Sequence, residues 1–459
     1  MLRDKYEQDK FFMDIQTLAS KMDKELAHVD QVLANDDIFQ QVKRDMSQRH
    51  QHTLHTGRPS TPVEVVPRML VVKHLYNWSY EQTERYVKDS LVLRRFCRIY
   101  FEDVPDDTTL IRWAGVIQPE TLEALNERVL KLAQGRKLTN GRKLRTDGTV
   151  VEANIHYPTD SSLLNDSVRV ISRLLKGAKA IISQGEGLAK TVFRDRTRSA
   201  KRVAQQLARQ AKRGTQALQG AYRRLVDTAQ ASLRQAEQVL AALRQETSPA
   251  ADHLREQMDT YLPRVQQVIN QAVRRVFGGE KLPPQLKLVS LFEPHTAIIQ
   301  RGKAGHDTEF GRKVWLDEVE GGFISHYRIL DGNPSDQDQW QPALDHHQRL
   351  FGRPPRLASA DRGLSSPDNE AYAYQLGVKQ VVLPQRGAKD DARRHWEQQP
   401  WFRRGRRWQA GIEGRISVVK RRQGLHRCLN HGELGFARWV GWGILAHNLH
   451  QFGHALASS

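Results

Sequence analysis

Residues 355–383, PRLASADRGLSSPDNEAYAYQLGVKQVVL, decide the fold class predicted for this chain. Segments 356–360 and 379–383 have the composition of short buried strands, and 368–376 between them has a helical pattern. Strands joined through a helix run parallel, so their carboxyl ends lie at one edge of a sheet. Asp361 directly follows the first strand. We therefore expect its carboxylate at that edge, where ligands gather in α/β folds.

Strand patterns on both sides of this stretch predict a mixed sheet. Three short segments are rich in β-branched or aromatic residues: 287–292, 313–319 and 323–330. Glu320-Gly321-Gly322 separates the last two as a hairpin turn. A further strand is predicted at 143–157, before Pro158, and a helix at 335–350. Hairpin strands followed by a strand–helix–strand unit indicate an α/β fold with a mixed sheet.

A basic helical insertion is predicted at 161–280, after the first strand. It holds 21 lysines and arginines against 10 aspartates and glutamates, which gives +11 of the chain's net charge of +19. Ser248-Pro249 has the sequence of a helix start, and apolar residues follow it at helical spacing. Two long helices are therefore predicted to form an antiparallel hairpin that turns near 247–249. This insertion could clamp DNA, dimerise or do both. The alternative is a solvated spacer, which the one-sided charge disfavours.

The region before the first strand is predicted to be helical. Residues 1–57 form an amino-terminal helical segment with a soft boundary at 50–58, and 58–135 form a helix-turn-helix-like DNA-binding domain. Ser79 and Gln82 have capping-box spacing, and Asp106-Asp107-Thr108 has the composition of a helix start. A helical dimerisation or packing domain is an equally weighted alternative for 58–135. Residues 136–160 with 281–459 then make the α/β domain that contains the predicted mixed sheet.

The composition indicates a polyanion partner. The net charge is +19 and the isoelectric point about 10.0, which favours nucleic acid. No apolar run approaches the ~20 residues of a membrane span, and MLRDKYEQDKFF lacks a signal-peptide core. Only Cys97 and Cys428 are present, so a reducing compartment is expected. We therefore expect a cytoplasmic protein without a membrane partner.

Three carboxylates far apart in sequence lie in contexts that fit one catalytic task. Asp147 lies in the predicted strand KLRTDGTVVEA, Asp361 follows a strand, and Glu413 lies in the predicted helix QAGIEGRISVVKRRQGL. Two strand-end aspartates and one helical glutamate can hold two Mg²⁺ or Mn²⁺ ions about 3.5–4 Å apart, which suits phosphodiester cleavage. Each acid alone is weak evidence, because turn residues and solvated helix faces also carry acids. Alternative acids for the site are Asp160, Asp166 and Asp307.

Basic residues near Glu413 and in the insertion are predicted to contact DNA phosphates. Those near Glu413 are Arg406, Arg415, Lys420, Arg421 and Arg422. Those in the insertion are Arg194, Arg196, Arg198, Lys201 and Arg202. Contacts of this kind would make DNA binding fall steeply with salt.

These motifs resemble those of DDE transposases encoded by bacterial insertion sequences, whose catalytic domain has the RNase H-like fold. The three acidic motifs are matched by Asp147 in RTDGTVVEANIHYPTDSSLL, by Asp361 in SADRGLSSPDNEAYAYQLGVKQVVLP and by Glu413 in AGIEGRISVVKRRQGLHRC. The resemblance covers about 58–165, including PDDTTLIRW, and 285–450. FEPHTAIIQRGKAG and the Gly-Ile-Glu-Gly context are similar to the ISNCY-like group.

The residues around Glu413 match the resemblance only in part. Lys420, seven positions after the glutamate, matches a basic position that many relatives use for transposon-end phosphates. Relatives often carry Tyr and Arg seven and four positions before the glutamate, where this chain has Arg406 and Gln409. The end-binding motif is therefore altered here.

The resemblance implies a transposase that cleaves double-stranded DNA at inverted-repeat ends and joins the freed 3′-hydroxyl to target DNA. It implies Asp147, Asp361 and Glu413 as ligands of two Mg²⁺ (or Mn²⁺) ions, and a homodimer on DNA at the bacterial nucleoid. One alternative is an RNase H-like nuclease or resolvase without strand transfer. Another is a catalytically inactive, transposase-derived DNA-binding protein, which the presence of all three acids disfavours.

Overall fold

The structure is a computed structural model that describes residues 3–19, 21–49, 60–182, 194–303 and 306–458. The chain divides into two compact units. The first contains Met1–Asn154 and Gly311–Ser459, and the second contains Ile155–Phe310. The second unit is thus inserted into the chain of the first. Among the described residues, no helix is both long and apolar enough to cross a membrane.

The first unit begins with helices. They are α1 (Lys10–Ala19), α2 (Lys24–Leu33), α3 (Asp36–Ser47), α4 (Val65–Leu75), α5 (Tyr80–Asp89), α6 (Leu91–Phe96), α7 (Asp107–Ala114) and α8 (Pro119–Gly135). The capping box predicted at Ser79 and Gln82 is confirmed at the start of α5. Asp106 caps α7 by accepting a hydrogen bond from the Thr109 amide. The boundary predicted at 50–58 lies outside the described residues.

A mixed sheet follows, as the strand patterns predict. Its strands are β1 (Lys143–Glu152), β2 (Ala297–Lys303), β3 (His306–Val319), β4 (Ile324–Leu330), β5 (Leu357–Ala360) and β6 (Gln380–Val382). The strand order is β2-β3-β1-β5-β6, and β4 pairs with β3. The pairs β1–β3 and β3–β4 are antiparallel, whereas β1–β5 and β5–β6 are parallel. The predicted turn at 320–322 joins β3 to β4, and Gly321 adopts a φ of 83° there.

The prediction of a strand at 287–292 is wrong. No strand is assigned to these described residues, and β2 begins five positions after them. Leu288 and Leu291 are buried in the helical core of the second unit. The Leu288 amide donates to Gln271 Oε1 at 3.0 Å, so a side chain satisfies this backbone group instead of a neighbouring strand. Packing against helices therefore produced the apolar pattern that resembled a strand.

The second unit is predominantly helical. Its helices are α9 (Asp160–Ile182), α10 (Thr197–Arg209), α11 (Thr215–Leu243) and α12 (Pro249–Val276). The predicted hairpin is confirmed by α11 and α12, with Ser248 capping α12. The insertion is nevertheless more than a hairpin, because α9 and α10 pack against α11 and share its apolar core. The buried face of α10 consists of Ala200, Val203 and Leu207. This apolar stripe is narrow and the rest of the helix is mostly polar or charged, so the sequence pattern did not indicate that α10 belongs to the core.

The remaining helices complete the first unit. They are α13 (Trp340–Phe351), α14 (Pro367–Leu376), α15 (Asp391–Gln398), α16 (Pro400–Arg422) and α17 (Gly432–Ala457). The helix α17 packs against α2, α4 and α8. The helix α16 packs against β1, β5 and β6. It therefore crosses the two strands from which Asp147 and Asp361 extend.

Candidate active site

Asp147, Asp361 and Glu413 line one cavity of about 440 Å³ in the first unit. Asp147 is the fifth of the ten residues of β1, so it lies in mid-strand and not at the strand end expected from the sequence. Asp361 directly follows β5, which pairs with β1. Glu413 lies on α16. Three elements distant in sequence thus bring the three predicted acids to the same cavity.

The three carboxylates are accessible from solvent. Asp147 is half-buried and its Oδ1 accepts a hydrogen bond from the Gly148 amide at 2.7 Å. Asp361 is exposed, and it accepts a hydrogen bond from the Gly363 amide at the start of a short 3₁₀ turn. Glu413 is exposed on α16. An incoming ligand can therefore reach all three side chains.

A buried ion-pair cluster holds α16 against the sheet. Arg145 on β1 donates to both carboxylate oxygens of Glu318 on β3, at 2.8 and 2.6 Å, and also to the Trp408 carbonyl of α16. Arg415 on α16 donates to the same Glu318 at 3.2 Å. Glu318 is almost fully buried, and these two arginines are its ion-pair partners. Neither Arg145 nor Glu318 was predicted from the sequence.

A buried amide makes a second connection between α16 and the sheet. Gln409 Nε2 donates to the Thr146 carbonyl of β1 at 3.2 Å. Its Oε1 accepts a hydrogen bond from Ser359 Oγ of β5 at 2.9 Å. The departure from the resembling family at this position is thus a side chain that bonds to both strands and also lines the cavity of the three acids. Its position four residues before Glu413 was the only signal in the sequence.

The three acids have the chemical type of divalent-cation ligands, but they do not form a closed ligand set. Three carboxylates offer only oxygen ligands, which Mg²⁺ and Mn²⁺ prefer. Within the described part of the chain, no group of three or more His, Cys, Asp or Glu side chains is close enough to hold a metal ion. The three acids therefore share a cavity without forming a closed ligand set. Mg²⁺ usually keeps several waters and is bound by one or two carboxylates together with substrate phosphates.

Cationic side chains line the same cavity. They include Arg362, Lys389 and the predicted phosphate contact Arg406. Lys389 Nζ donates to Glu397 at 2.5 Å, so part of its charge is compensated. Arg362 follows Asp361 directly and was not among the predicted contacts. Acids and cations in one cavity can bind a metal ion and the phosphates around it.

The other predicted phosphate contacts near Glu413 lie further along α16. Arg415 forms an ion pair with Glu318, so the Nε atom of its guanidinium already has a partner. Lys420 is half-buried, whereas Arg421 and Arg422 are exposed at the end of the helix. Arg421 and Arg422 line a separate cavity of about 780 Å³. The structure therefore does not bring these residues to the cavity of the three acids.

The predicted contacts of the second unit lie at or next to the start of α10. Arg194, Arg198, Lys201 and Arg202 are exposed. Arg196 is half-buried and donates to Gln235 Oε1 at 2.8 Å. These residues offer positive charge to solvent within this unit.

Two of the three alternative acids have ion-pair partners within the second unit. Asp160 pairs with Arg275 at 2.9 Å, and Asp166 pairs with Arg169 at 3.1 Å. Burial raises the pKa of Asp166, and Arg169 and His156 oppose that rise. The side chain of Asp307 lies outside the described part. Asp160 and Asp166 therefore have structural partners of their own.

The amino-terminal helices provide the link to known proteins. Residues 14–115 match a family model described as Transposase domain (DUF772). The match covers most of α1 through α7 and ends before all three acids. No curated protein and no solved structure matched the chain. The match supports a transposase family for this chain, and it runs across the boundary predicted at 50–58.

Proposed function

We propose that the protein is a DDE transposase, similar to the ISNCY-like group, that cleaves DNA at inverted-repeat ends and joins the cut ends to target DNA. The observation that carries the proposal is the shared cavity of Asp147, Asp361 and Glu413. The amino-terminal match to a transposase domain supports a role in transposition, and it does so independently because it involves none of these acids.

The strand order supports a catalytic domain of the RNase H-like kind. Antiparallel strands β4, β3 and β1 continue into parallel strands β5 and β6. The acids lie on the central strand β1, directly after β5 and on the helix that crosses both strands. Such an arrangement is what the resemblance implies for this class of enzyme.

The chemistry requires an attacking oxygen, a phosphodiester and a leaving oxygen in line. Two bound Mg²⁺ (or Mn²⁺) ions would lower the pKa of water and neutralise charge on the leaving oxygen. Asp147, Asp361 and Glu413 would hold these ions, and Arg362 and Arg406 would contact the neighbouring phosphates. The oxygen of water bonds to phosphorus, the bond to the 3′-oxygen breaks, and a 3′-hydroxyl and a 5′-phosphate result.

Strand transfer repeats the displacement with a different nucleophile. The freed 3′-hydroxyl attacks a phosphodiester of the target, so one phosphodiester forms for each one broken. In this proposal the amino-terminal helices recognise the inverted repeats and the basic second unit holds phosphates. The enzyme acts as a homodimer on double-stranded DNA at the bacterial nucleoid. These tasks are divided among domains at 1–57, 58–135, 136–160 with 281–459, and 161–280.

The test is Mg²⁺-dependent cleavage and joining of DNA that carries the element's own ends. We expect Asp361→Asn to lower both activities by more than about a hundredfold. Changing a residue that only hydrogen-bonds to a metal ligand already costs about 10–100-fold, and Asp361 is proposed to be a ligand itself. The matched control is Asp368→Asn, which changes an exposed aspartate in the first turn of α14. That variant should keep wild-type activity.

The outcomes separate the proposal from its rivals. Nicking without joining would indicate a nuclease or resolvase. Tight DNA binding without cleavage by the wild type would leave only a DNA-binding protein. Equal activity of Asp361→Asn and the wild type would remove this cavity from the chemistry.

A further inference from the structure

Gln409 is placed to hold together the three elements that carry the acids. It lies on α16 one helical turn before Glu413 and is only 8% exposed. Its two hydrogen bonds reach Thr146, the residue directly before Asp147, and Ser359, two residues before Asp361. A single side chain therefore connects positions adjacent to all three carboxylates.

We infer that Gln409 is a positioning residue that sets the spacing of Asp147, Asp361 and Glu413. This inference rests on the proposed function. The amide donates to β1 and accepts from β5, so its geometry fixes α16 relative to both strands at once. An apolar side chain of similar size would fill the same space, but it would not select one position of the helix along the strands. Hydrogen bonds of this kind orient ligand-bearing groups.

The surroundings of Gln409 favour a rigid connection. Thr146 and Ser359 are fully buried, and Gln409 is nearly so although it lines the cavity, which strengthens these hydrogen bonds. Thr146 is also held from its side chain, because its Oγ1 donates to Asp317 Oδ1 at 2.6 Å. Asp317 is itself buried and contacts His326 Nδ1 at 3.1 Å. The backbone next to Asp147 is thus fixed through both the carbonyl and the side chain of Thr146.

The test compares full-length variants for divalent-metal binding and for catalysis. Gln409→Leu removes both hydrogen bonds and keeps the size of the side chain. Ser359→Ala removes only the bond to Oε1. The matched control is Gln271→Leu in the second unit, where a glutamine of 5% exposure also makes two hydrogen bonds, one to the Leu288 amide and one to its carbonyl.

Two measurements report on positioning. The dissociation constant for Mn²⁺ is measured by electron paramagnetic resonance without DNA, and the Mg²⁺ concentration for half-maximal cleavage is measured with DNA. For Gln409→Leu we expect both values to rise roughly 10–100-fold. For Ser359→Ala we expect a smaller rise in both. Gln271→Leu should leave both values at the wild-type level, even where its stability is lower.

Specific results would overturn the inference. A folded Gln409→Leu variant with wild-type Mn²⁺ affinity would do so. If Gln409→Leu does not fold, unchanged Mn²⁺ affinity in Ser359→Ala would do so instead. An equal loss of affinity in Gln271→Leu would reduce the effect to general destabilisation. A wild-type protein that neither binds Mn²⁺ nor cleaves DNA would refute the proposed function, and the role of Gln409 with it.

Discussion

Buried histidines of the first unit are held in the neutral form. Burial lowers the pKa of His447 to about 3 and that of His347 to about 4. The Nε2 atoms lie 3.0 Å from the Gly322 carbonyl and 2.9 Å from the Gly141 carbonyl, respectively, and they donate to these oxygens. Burial also lowers the pKa of His346 to about 3. A proton on any of these rings would place a charge in the interior, which burial disfavours.

These histidines predict that the first unit loses stability in mild acid. Above the ordinary histidine pKa of about 6.5, the rings are neutral in both the folded and unfolded chain. Below it, the unfolded chain binds protons that the folded chain excludes, so the free energy of unfolding falls as the pH falls toward 4. Each histidine contributes up to about 1.4 kcal/mol per pH unit. Urea unfolding at pH 7.5, 6.0 and 5.0 measures this loss.

A substitution isolates the contribution of one ring. His447→Gln keeps a hydrogen-bond donor and removes the titrating group, so its stability deficit relative to the wild type should shrink as the pH falls. His395→Gln changes an exposed histidine of α15 and serves as the control. A deficit of His447→Gln that stays constant across the three pH values would contradict the assignment.

At the scale of elements, α16 approaches the sheet closely because glycines face it. A Cβ on Gly405 would lie 2.5 Å from Val382 Cγ2 of β6, and a Cβ on Gly411 would lie 2.5 Å from Arg145 Nη1. The valine side chain is branched at Cβ and cannot easily rotate away. The short distance between α16 and the sheet, and with it the position of Glu413, therefore depends on glycine at these two positions.

Gly405→Ala is expected to destabilise the first unit by about 1–3 kcal/mol, the usual cost of overpacking a core. Val382→Ala added to this variant should recover part of the loss, because it removes the clashing methyl group. The control is Gly414→Ala on the same helix, where no atom lies within 4 Å of the added Cβ. That change should stabilise by up to about 1 kcal/mol through helix propensity. Urea unfolding of the variants measures these changes in the free energy of unfolding. A Gly405→Ala protein as stable as the wild type would contradict the close approach of α16 to the sheet.

Local patterns were enough to predict most elements near the site. The hairpin β3–β4, the unit β5–α14–β6 and the helices α11 and α12 were predictable because their apolar periodicity lies within each segment. The strand proposed at 287–292 failed because packing on helices gave the same pattern. Partners distant in sequence were not predictable: Arg145 and Glu318 are 173 positions apart. Gln409 likewise shows its role only once Thr146 and Ser359 lie beside it.

At the scale of the whole molecule, positive charge is the dominant property. The chain carries +19, and the exposed residues Arg198, Lys201 and Arg202 of α10 contribute to it. If the chain binds DNA as proposed, neutralising phosphates releases counterions, so its affinity for DNA should fall as salt rises, with a logarithmic slope of about −0.9 per phosphate contact. The contribution of a single side chain is therefore measurable as a change in that slope.

Lys201→Ala is expected to reduce the magnitude of this slope by about 0.9 and to weaken binding to all sequences alike. The matched control is Arg274→Ala in the same unit, because Glu280 already compensates that arginine at 2.7 Å. Fluorescence anisotropy with duplex DNA at several salt concentrations gives the slopes. An unchanged slope for Lys201→Ala would remove α10 from the DNA-binding surface.

The insertion between β1 and β3 also shapes how the protein is made. Glu152 of β1 lies opposite Gly311 of β3, and Lys143 lies opposite Leu357 of β5. The ribosome, at 5–20 residues per second, completes β1 roughly 10–30 s before either neighbouring strand. During that interval β1 has two open edges, which favour pairing with other chains. The second unit has its own core and can fold before β3 is complete. Once it has folded, fewer flexible residues separate β1 from β3, so closing the loop between these strands costs less entropy.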